Sequence, residues 1–94
     1  HKILIIGDML ELGEHEIIEH KNLAKLINTA SIDIVLSIGN LMHYMHKELN
    51  DNYIFKSHFL NINDLKKEFK DIVKKDDIVF IKGSRKMTLE RIYN

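Results

Sequence analysis

The chain has 94 residues, and its 14 Lys and Arg residues balance its 14 Asp and Glu residues, so the formal net charge at pH 7 is zero. This balance argues against proteins that bind nucleic acid or a membrane surface through an excess of basic charge. The chain contains neither cysteine nor proline, which excludes disulfides and thiolate sites. Its apolar runs are too short to span a membrane, and its length suits one domain with one modest core, so we expect a soluble chain.

The first predicted element is a strand over residues 3–6, four consecutive apolar residues that suit a parallel strand covered on both faces. Gly7 permits a sharp exit from the strand, and Asp8 is the first polar residue beyond its carboxyl end. In open α/β sheets, ligands bind in the crevice outside the carboxyl ends of the strands. The loop over residues 7–13 is therefore a candidate site.

A helix is predicted over residues 14–29, because apolar residues recur on one face and glutamates in the first turns suit the positive end of the helix dipole. A second strand over residues 33–38 ends at Gly39. A short helix over residues 41–49 follows, with Asn40 as its expected N-cap. The expected buried positions of these two helices are Ile17, Leu23, Ala24, Leu26, Ile27 and Ala30 in the first and Met42, Met45 and Leu49 in the second.

The second half of the chain predicts a short third strand over residues 53–55, a helix over residues 62–74, a fourth strand over residues 78–81 and a final short helix. The third helix has the cleanest apolar stripe, and Asn61 or Asn63 can cap it. The final helix starts at Met87 or Thr88, ends at Tyr93 and buries Leu89 and Ile92. The element order predicts an α/β Rossmann-like sandwich, a mainly parallel sheet of about four strands with helices on both faces.

Parallel strands end together, so the loops after the first, second and fourth strands are expected at one edge of the sheet. The last of these loops holds Lys82, Gly83, Ser84 and Arg85. Two cations, a hydroxyl and a glycine suit a cradle for a carboxylate or a phosphate, although a turn with solvated cations would have the same sequence. Neither Gly-x-x-x-x-Gly-Lys-Ser/Thr nor Gly-x-Gly-x-x-Gly occurs in the chain, so phosphoryl transfer is not encoded here.

Three further residues are candidates at the same edge. The carboxylates of Asp8 and Glu11 either face an amine or a cation in the crevice or serve as a turn residue and a helix-flanking charge. His20 lies on the apolar face of the first helix, a position that favours a hydrogen-bonded core or boundary residue over a ligand.

A metal site is only weakly supported, because the pairs His15 with His20 and His43 with His46 lack a third ligand at a metal-binding spacing. We therefore expect no metal, and we place His43 and His46 on the surface.

The residues from Ile5 to Gly13, His20 in the next helix, and Lys82-Gly83-Ser84-Arg85 followed by Met87 and Glu90 together resemble the carboxy-terminal domain of the Mur ligases. Within that family they are most similar to the type that uses D-alanyl-D-alanine. The resemblance implies a Rossmann-like domain of a cytoplasmic, ATP- and magnesium-dependent amide ligase of peptidoglycan synthesis. ATP would activate the terminal carboxylate of UDP-N-acetylmuramoyl-tripeptide as an acyl phosphate, and the amine of D-alanyl-D-alanine would attack it.

The resemblance also suggests roles for particular residues. Lys82, Ser84 and Arg85 would hold the dipeptide or bridge toward the acyl phosphate, with Arg85 as the best partner for a carboxylate. Asp8, Glu11 and His20 would line or brace the same edge as substrate-binding residues. No catalytic residue is assigned.

Several parts of the family pattern are missing from these 94 residues. The P-loop and the magnesium ligands belong to the central domain, which would bind ATP and magnesium, and the UDP sugar binds to the amino-terminal domain. The family's carboxy-terminal domain also begins with an earlier strand and an Asn-Pro loop, and this chain has no proline. We therefore expect residues 1–94 to be an incomplete carboxy-terminal domain that is inactive alone. The alternative is a non-enzymatic Rossmann-like binding or interaction module that pairs through the helix carrying Met42 and Met45.

Overall fold

The computed structural model describes residues 1–10, 12–83 and 89–93. Four strands alternate with three α-helices, as the sequence predicts, and a short 3₁₀ turn precedes the first helix. The elements are β1 (Lys2–Gly7), the 3₁₀ turn (Gly13–His15), α1 (Glu16–Thr29), β2 (Ile34–Ile38), α2 (Met42–Lys47), β3 (Phe55–Phe59), α3 (Ile62–Ile72), β4 (Ile78–Lys82) and a 3₁₀ helix (Leu89–Tyr93).

The four strands form one sheet in the order β3-β2-β1-β4, and every neighbouring pair is parallel. β1 is therefore a central strand with β2 on one side and β4 on the other. All four carboxyl ends lie at the same edge, because the four described strands run in the same direction. The predicted α/β class and the parallel sheet are both confirmed.

Helices cover both faces of the sheet. β1 contacts both layers of helices, because its alternate residues point to opposite sides of the sheet. Ile3 and Ile5 pack into the cluster formed with α3 and the final 3₁₀ helix. Leu4 and Ile6 face the cluster formed with α1 and α2. Leu89 and Ile92 are buried as expected, whereas the predicted starts of the final helix at Met87 or Thr88 lie outside the described residues.

The third strand differs from its prediction. It runs over Phe55–Phe59 rather than residues 53–55, so the polar residues Lys56 and His58, which follow the predicted strand, lie inside it. Tertiary contacts explain the difference: the Lys56 ammonium donates to the carbonyls of Leu49 and Asn50, and the His58 ring bonds to Ser37. A strand whose polar side chains find such partners needs no continuous apolar run.

The buried face of α1 also differs from its prediction. Ala24 and Ile27 are buried as expected, but Ile17 is 40% exposed and Leu26 is 67% exposed. The buried stripe is centred on His20, which has no exposed surface. Leu26 instead borders an apolar groove between α1 and β4.

The structure contradicts an interaction surface built on the methionines of α2. Met42 and Met45 have no exposed surface and pack into the cluster that α2 shares with α1 and the sheet. The alternative module that would pair through these residues is therefore wrong.

At the next helix, the predicted cap is confirmed, because the Asn61 side chain accepts a hydrogen bond from the Asn63 amide at 2.7 Å. α3 ends at Ile72 rather than at residue 74, since Val73 is already extended.

Candidate functional site

A cleft of about 320 Å³ opens at the carboxyl edge of the sheet, where the sequence predicts a site. Its walls are Met9 and Leu10 from the loop after β1, and Lys82 and Gly83 from the end of β4. β1 and β4 are neighbours, so their carboxyl ends bring these two segments together. The cleft thus combines apolar walls with one exposed cation.

Gly83 shows how closely the two segments approach. A Cβ added at this position would lie 2.8 Å from the Leu89 side chain and 3.4 Å from the Gly7 backbone. A side chain at this position would therefore have to displace the end of the Leu89 side chain, whereas its contact with Gly7 would be ordinary. The glycine leaves room for Leu89 beside the end of β4.

Asp8 lies beside this cleft, but its carboxylate points toward α2. One oxygen accepts hydrogen bonds from the amides of Leu41, at 3.1 Å, and Met42, at 2.8 Å. The negative charge also suits the positive end of the helix dipole. The sequence predicts Asn40 as the N-cap of α2. The structure instead places Leu41 at the cap position, and the Leu41 side chain makes no capping hydrogen bond. That prediction is wrong because a residue distant in sequence supplies the acceptor.

Gly39 makes room for this contact. Its φ of +117° lies in the region that favours glycine, and a Cβ there would collide with the Asp8 carboxylate. Asp8 is 7% exposed. Through its hydrogen bonds, the Asp8 carboxylate therefore joins the loop after β1 to the start of α2.

His20 holds the same loop from beneath. Its Nε2 accepts a hydrogen bond from the Met9 amide at 3.1 Å, and its Nδ1 lies 2.6 Å from the Glu16 carbonyl oxygen. A carbonyl can only accept, so Nδ1 carries the proton and Nε2 is the acceptor of a neutral ring. The interpretation of His20 as a hydrogen-bonded core residue is confirmed.

The remaining predicted site residues are Glu11, Lys82, Ser84 and Arg85. Glu11, Ser84 and Arg85 lie outside the described residues, and their roles stay predictions. Lys82 is exposed at the end of β4. The structure therefore brings Asp8, His20 and Lys82 to one edge, with only Lys82 on the surface of the cleft.

The structure also reveals a polar cluster that the sequence analysis missed, formed by Ser37, His43, His46 and His58. The Ser37 hydroxyl lies 2.8 Å from His58 Nδ1 and 3.4 Å from His46 Nδ1. The rings of His46 and His58 are 5.8 Å apart, and His43 lies 6.3 Å from His58. His43 and His46 are half-buried rather than on the surface, because β3 is longer than predicted and brings His58 beneath α2.

Burial lowers the pKa of two histidines in this cluster. It lowers the pKa of His46, and the charges of His58, Lys56 and His43 lower that pKa further. Burial also lowers the pKa of His58, with His43 adding to the effect and the Asp8 carboxylate opposing it. Within the part of the chain that the structure describes, no group of three or more His, Cys, Asp or Glu residues is arranged to hold a metal ion.

No family model matches the chain, but its individual relatives agree with one another. UDP-N-acetylmuramoyl-tripeptide–D-alanyl-D-alanine ligase of Buchnera aphidicola is 33% identical over 94 residues, which cover 98% of this chain and 20% of that protein. The enzyme of the same name from Bacillus subtilis is 35% identical over 95 residues, which cover 97% of this chain and 20% of that protein.

A crystal structure of the MurF ligase from Thermotoga maritima in complex with ADP matches with a TM-score of 0.74 and 28% identity, over 98% of this chain and 20% of that one. The chain is a homologue of the carboxy-terminal domain of MurF ligases. It spans about one fifth of the length of the MurF relatives that it matches. The resemblance to the Mur ligases and the expected domain fold are both confirmed.

None of the described helices is long and apolar enough to cross a membrane.

Proposed function

We propose that this chain is the carboxy-terminal domain of a cytoplasmic ligase that joins D-alanyl-D-alanine to UDP-N-acetylmuramoyl-tripeptide in peptidoglycan synthesis. The observation that carries the proposal is the alignment of 98% of the chain with an enzyme of that name, at 33% identity. The cleft beside Lys82 supports it, because the fold places an exposed cation and two apolar side chains at the carboxyl edge of the sheet, where ligands bind in open α/β sheets.

The domain's part in that reaction is to bind and orient the dipeptide. D-Alanyl-D-alanine has a carboxylate and two methyl groups, which match the Lys82 ammonium and the apolar walls formed by Met9 and Leu10. Ser84 and Arg85 follow directly in sequence, and we assign the main carboxylate contact to Arg85, since its planar fork fixes orientation as well as charge. We assign Asp8, Glu11 and His20 to the same edge, as residues that line or brace it.

ATP and magnesium do not fit the described residues as a complete site. The chain has no P-loop sequence, and the described residues contain no cluster of metal ligands. We therefore assign both groups to the rest of the ligase. Alone, the 94 residues are expected to lack ligase and ATPase activity.

A groove of about 590 Å³ beside β4 supports the proposal that the domain is incomplete. Leu4, Leu26 and Phe80 line it on the face of the sheet that α1 covers. A strand added outside β4 and joined to β1 by a right-handed crossover would place its helix on that same face. The groove is the position that this helix would fill, which fits the earlier strand expected in the parent ligase.

The test is Arg85→Ala in the complete ligase. We expect kcat/KM for D-alanyl-D-alanine to fall by about 100-fold, the order of one lost charge-assisted pair, with the KM for ATP nearly unchanged. Lys75→Ala is the matched control, because Lys75 is an exposed cation in the turn before β4, at the opposite edge of the sheet. An equal loss of ATP binding in Arg85→Ala would assign the arginine to the nucleotide instead.

A further inference from the structure

The loop after β1 has two separate side-chain attachments. The Asp8 carboxylate binds the first amides of α2, and the His20 ring on α1 binds the Met9 amide. Only the second attachment acts on a residue whose side chain lines the cleft. The position of Met9 and Leu10 relative to Lys82 therefore depends on His20.

We propose that His20 is a positioning residue for substrate, which acts through the Met9 backbone and touches no ligand itself. The inference rests on the proposed function, since it names the residue that shapes the dipeptide site. His20 has no exposed surface, so direct contact with a ligand is excluded in this conformation. Its effect on binding passes through the single hydrogen bond to the Met9 amide.

The geometry of the ring explains why a histidine suits this position. The Nδ1 proton is held by the Glu16 carbonyl at 2.6 Å, which leaves Nε2 as an acceptor aimed at Met9. Both nitrogens are thereby used, and the tautomer and the ring orientation are fixed together. The Met9 amide lies beyond Gly7, where the pairing of β1 with β2 ends, so no neighbouring strand of the described sheet holds it.

Two substitutions separate the two ends of the ring. His20→Gln places an amide oxygen near the position of Nε2 and preserves an acceptor for Met9. His20→Asn is shorter and reaches only the position of Nδ1, so it loses the bond to Met9. Both replace the imidazole with a neutral amide, which makes them a matched pair.

In the complete ligase, we expect His20→Asn to raise the KM for D-alanyl-D-alanine about tenfold, the order of one net hydrogen bond, while the KM for ATP stays unchanged. His20→Gln should stay within about threefold of the parent enzyme, because it restores the acceptor. If His20 had only a structural role, both variants would yield less folded enzyme, and their KM values for D-alanyl-D-alanine would not differ from each other.

Hydrogen exchange of the Met9 amide, measured by NMR in the same ligase, provides an independent arm. His20→Asn should speed this exchange at least about tenfold relative to His20→Gln, because the amide has lost its partner. Equal exchange in the two variants would overturn the hydrogen-bonding role. Different exchange with equal KM for the dipeptide would overturn the positioning role.

The two arms also separate this proposal from the proposed function. If the unmodified ligase does not use D-alanyl-D-alanine, the proposed function fails and the substrate role of His20 fails with it, whereas the exchange arm still decides whether His20 holds the loop. If the ligase is active but both variants keep the parent KM, only the proposal on His20 is overturned.

Discussion

The two walls of the cleft are built differently, although both lie at carboxyl ends of neighbouring strands. The loop after β1 is fixed by the Asp8 carboxylate on one side and the His20 ring on the other. The end of β4 is exposed at Lys82, and its glycine allows a close approach to β1. One wall is therefore held by hydrogen bonds to two helices, while the other presents an exposed charged group.

A motif that carries a family resemblance and a residue that contacts a ligand can therefore be different parts of a chain. The residues from Gly7 to Gly13 carry much of the resemblance to the Mur ligases, but the polar groups of Asp8 and His20 are used inside the fold. Such residues are needed because they set the backbone, and their substitution should first affect stability or geometry. Residues on the β4 side should affect binding with little cost in stability.

The largest expected effect on stability comes from Asp8→Ala. It leaves the Leu41 and Met42 amides without their acceptor, so we expect the free energy of unfolding to fall by about 2–4 kcal/mol. Asp8→Asn keeps an oxygen acceptor and loses only the charge, with an expected cost of about 1 kcal/mol. Urea unfolding followed by circular dichroism measures both values. Equal losses in the two variants would show that the charge, rather than the hydrogen bonds, is what α2 requires.

A smaller effect is expected from pH, through the cluster formed by Ser37, His43, His46 and His58. Burial lowers the pKa of both His46 and His58 in the folded chain, so the unfolded chain binds more protons as the pH falls. Stability from these neutral rings is complete above the ordinary histidine pKa of about 6.5 and is lost as the pH drops through the lowered folded values.

Urea unfolding at pH 8 and at pH 5.5 measures this effect, with His58→Asn as the test variant. Asparagine keeps a polar group near the position of His58 Nδ1, which bonds to Ser37, but does not titrate. We expect the variant to lose less stability between the two pH values than the parent chain. An unchanged difference would show that His58 does not contribute to the pH dependence.

The smallest effect on stability is expected on the open side of β4. Phe80 is 45% exposed in the groove beside α1, so Phe80→Lys should change the free energy of unfolding by only about 0.5 kcal/mol. It should reduce self-association of the 94-residue chain, because an uncovered apolar edge strand favours pairing with another chain. Sedimentation velocity measures the association.

Ile18→Lys is the control for this variant, since Ile18 is also exposed but lies on α1 rather than on the sheet. It should leave the association unchanged. If the two variants reduce association equally, general surface hydrophobicity is responsible, and the β4 edge has no special part.

The strands and helices with strong periodicity, the parallel α/β class and the family resemblance could all be predicted from the sequence. The residues of β1, β2 and α3 have apolar patterns that local spacing explains. Three features could not be predicted in this way: the bounds of β3, the capping of α2 by Asp8 instead of Asn40, and the cluster of histidines around Ser37. Each of these depends on contacts between distant residues, such as the bond from Met42 to Asp8 across 34 positions. Periodicity reports which face of an element is buried, whereas the partner of a buried polar group is fixed only when the elements pack together.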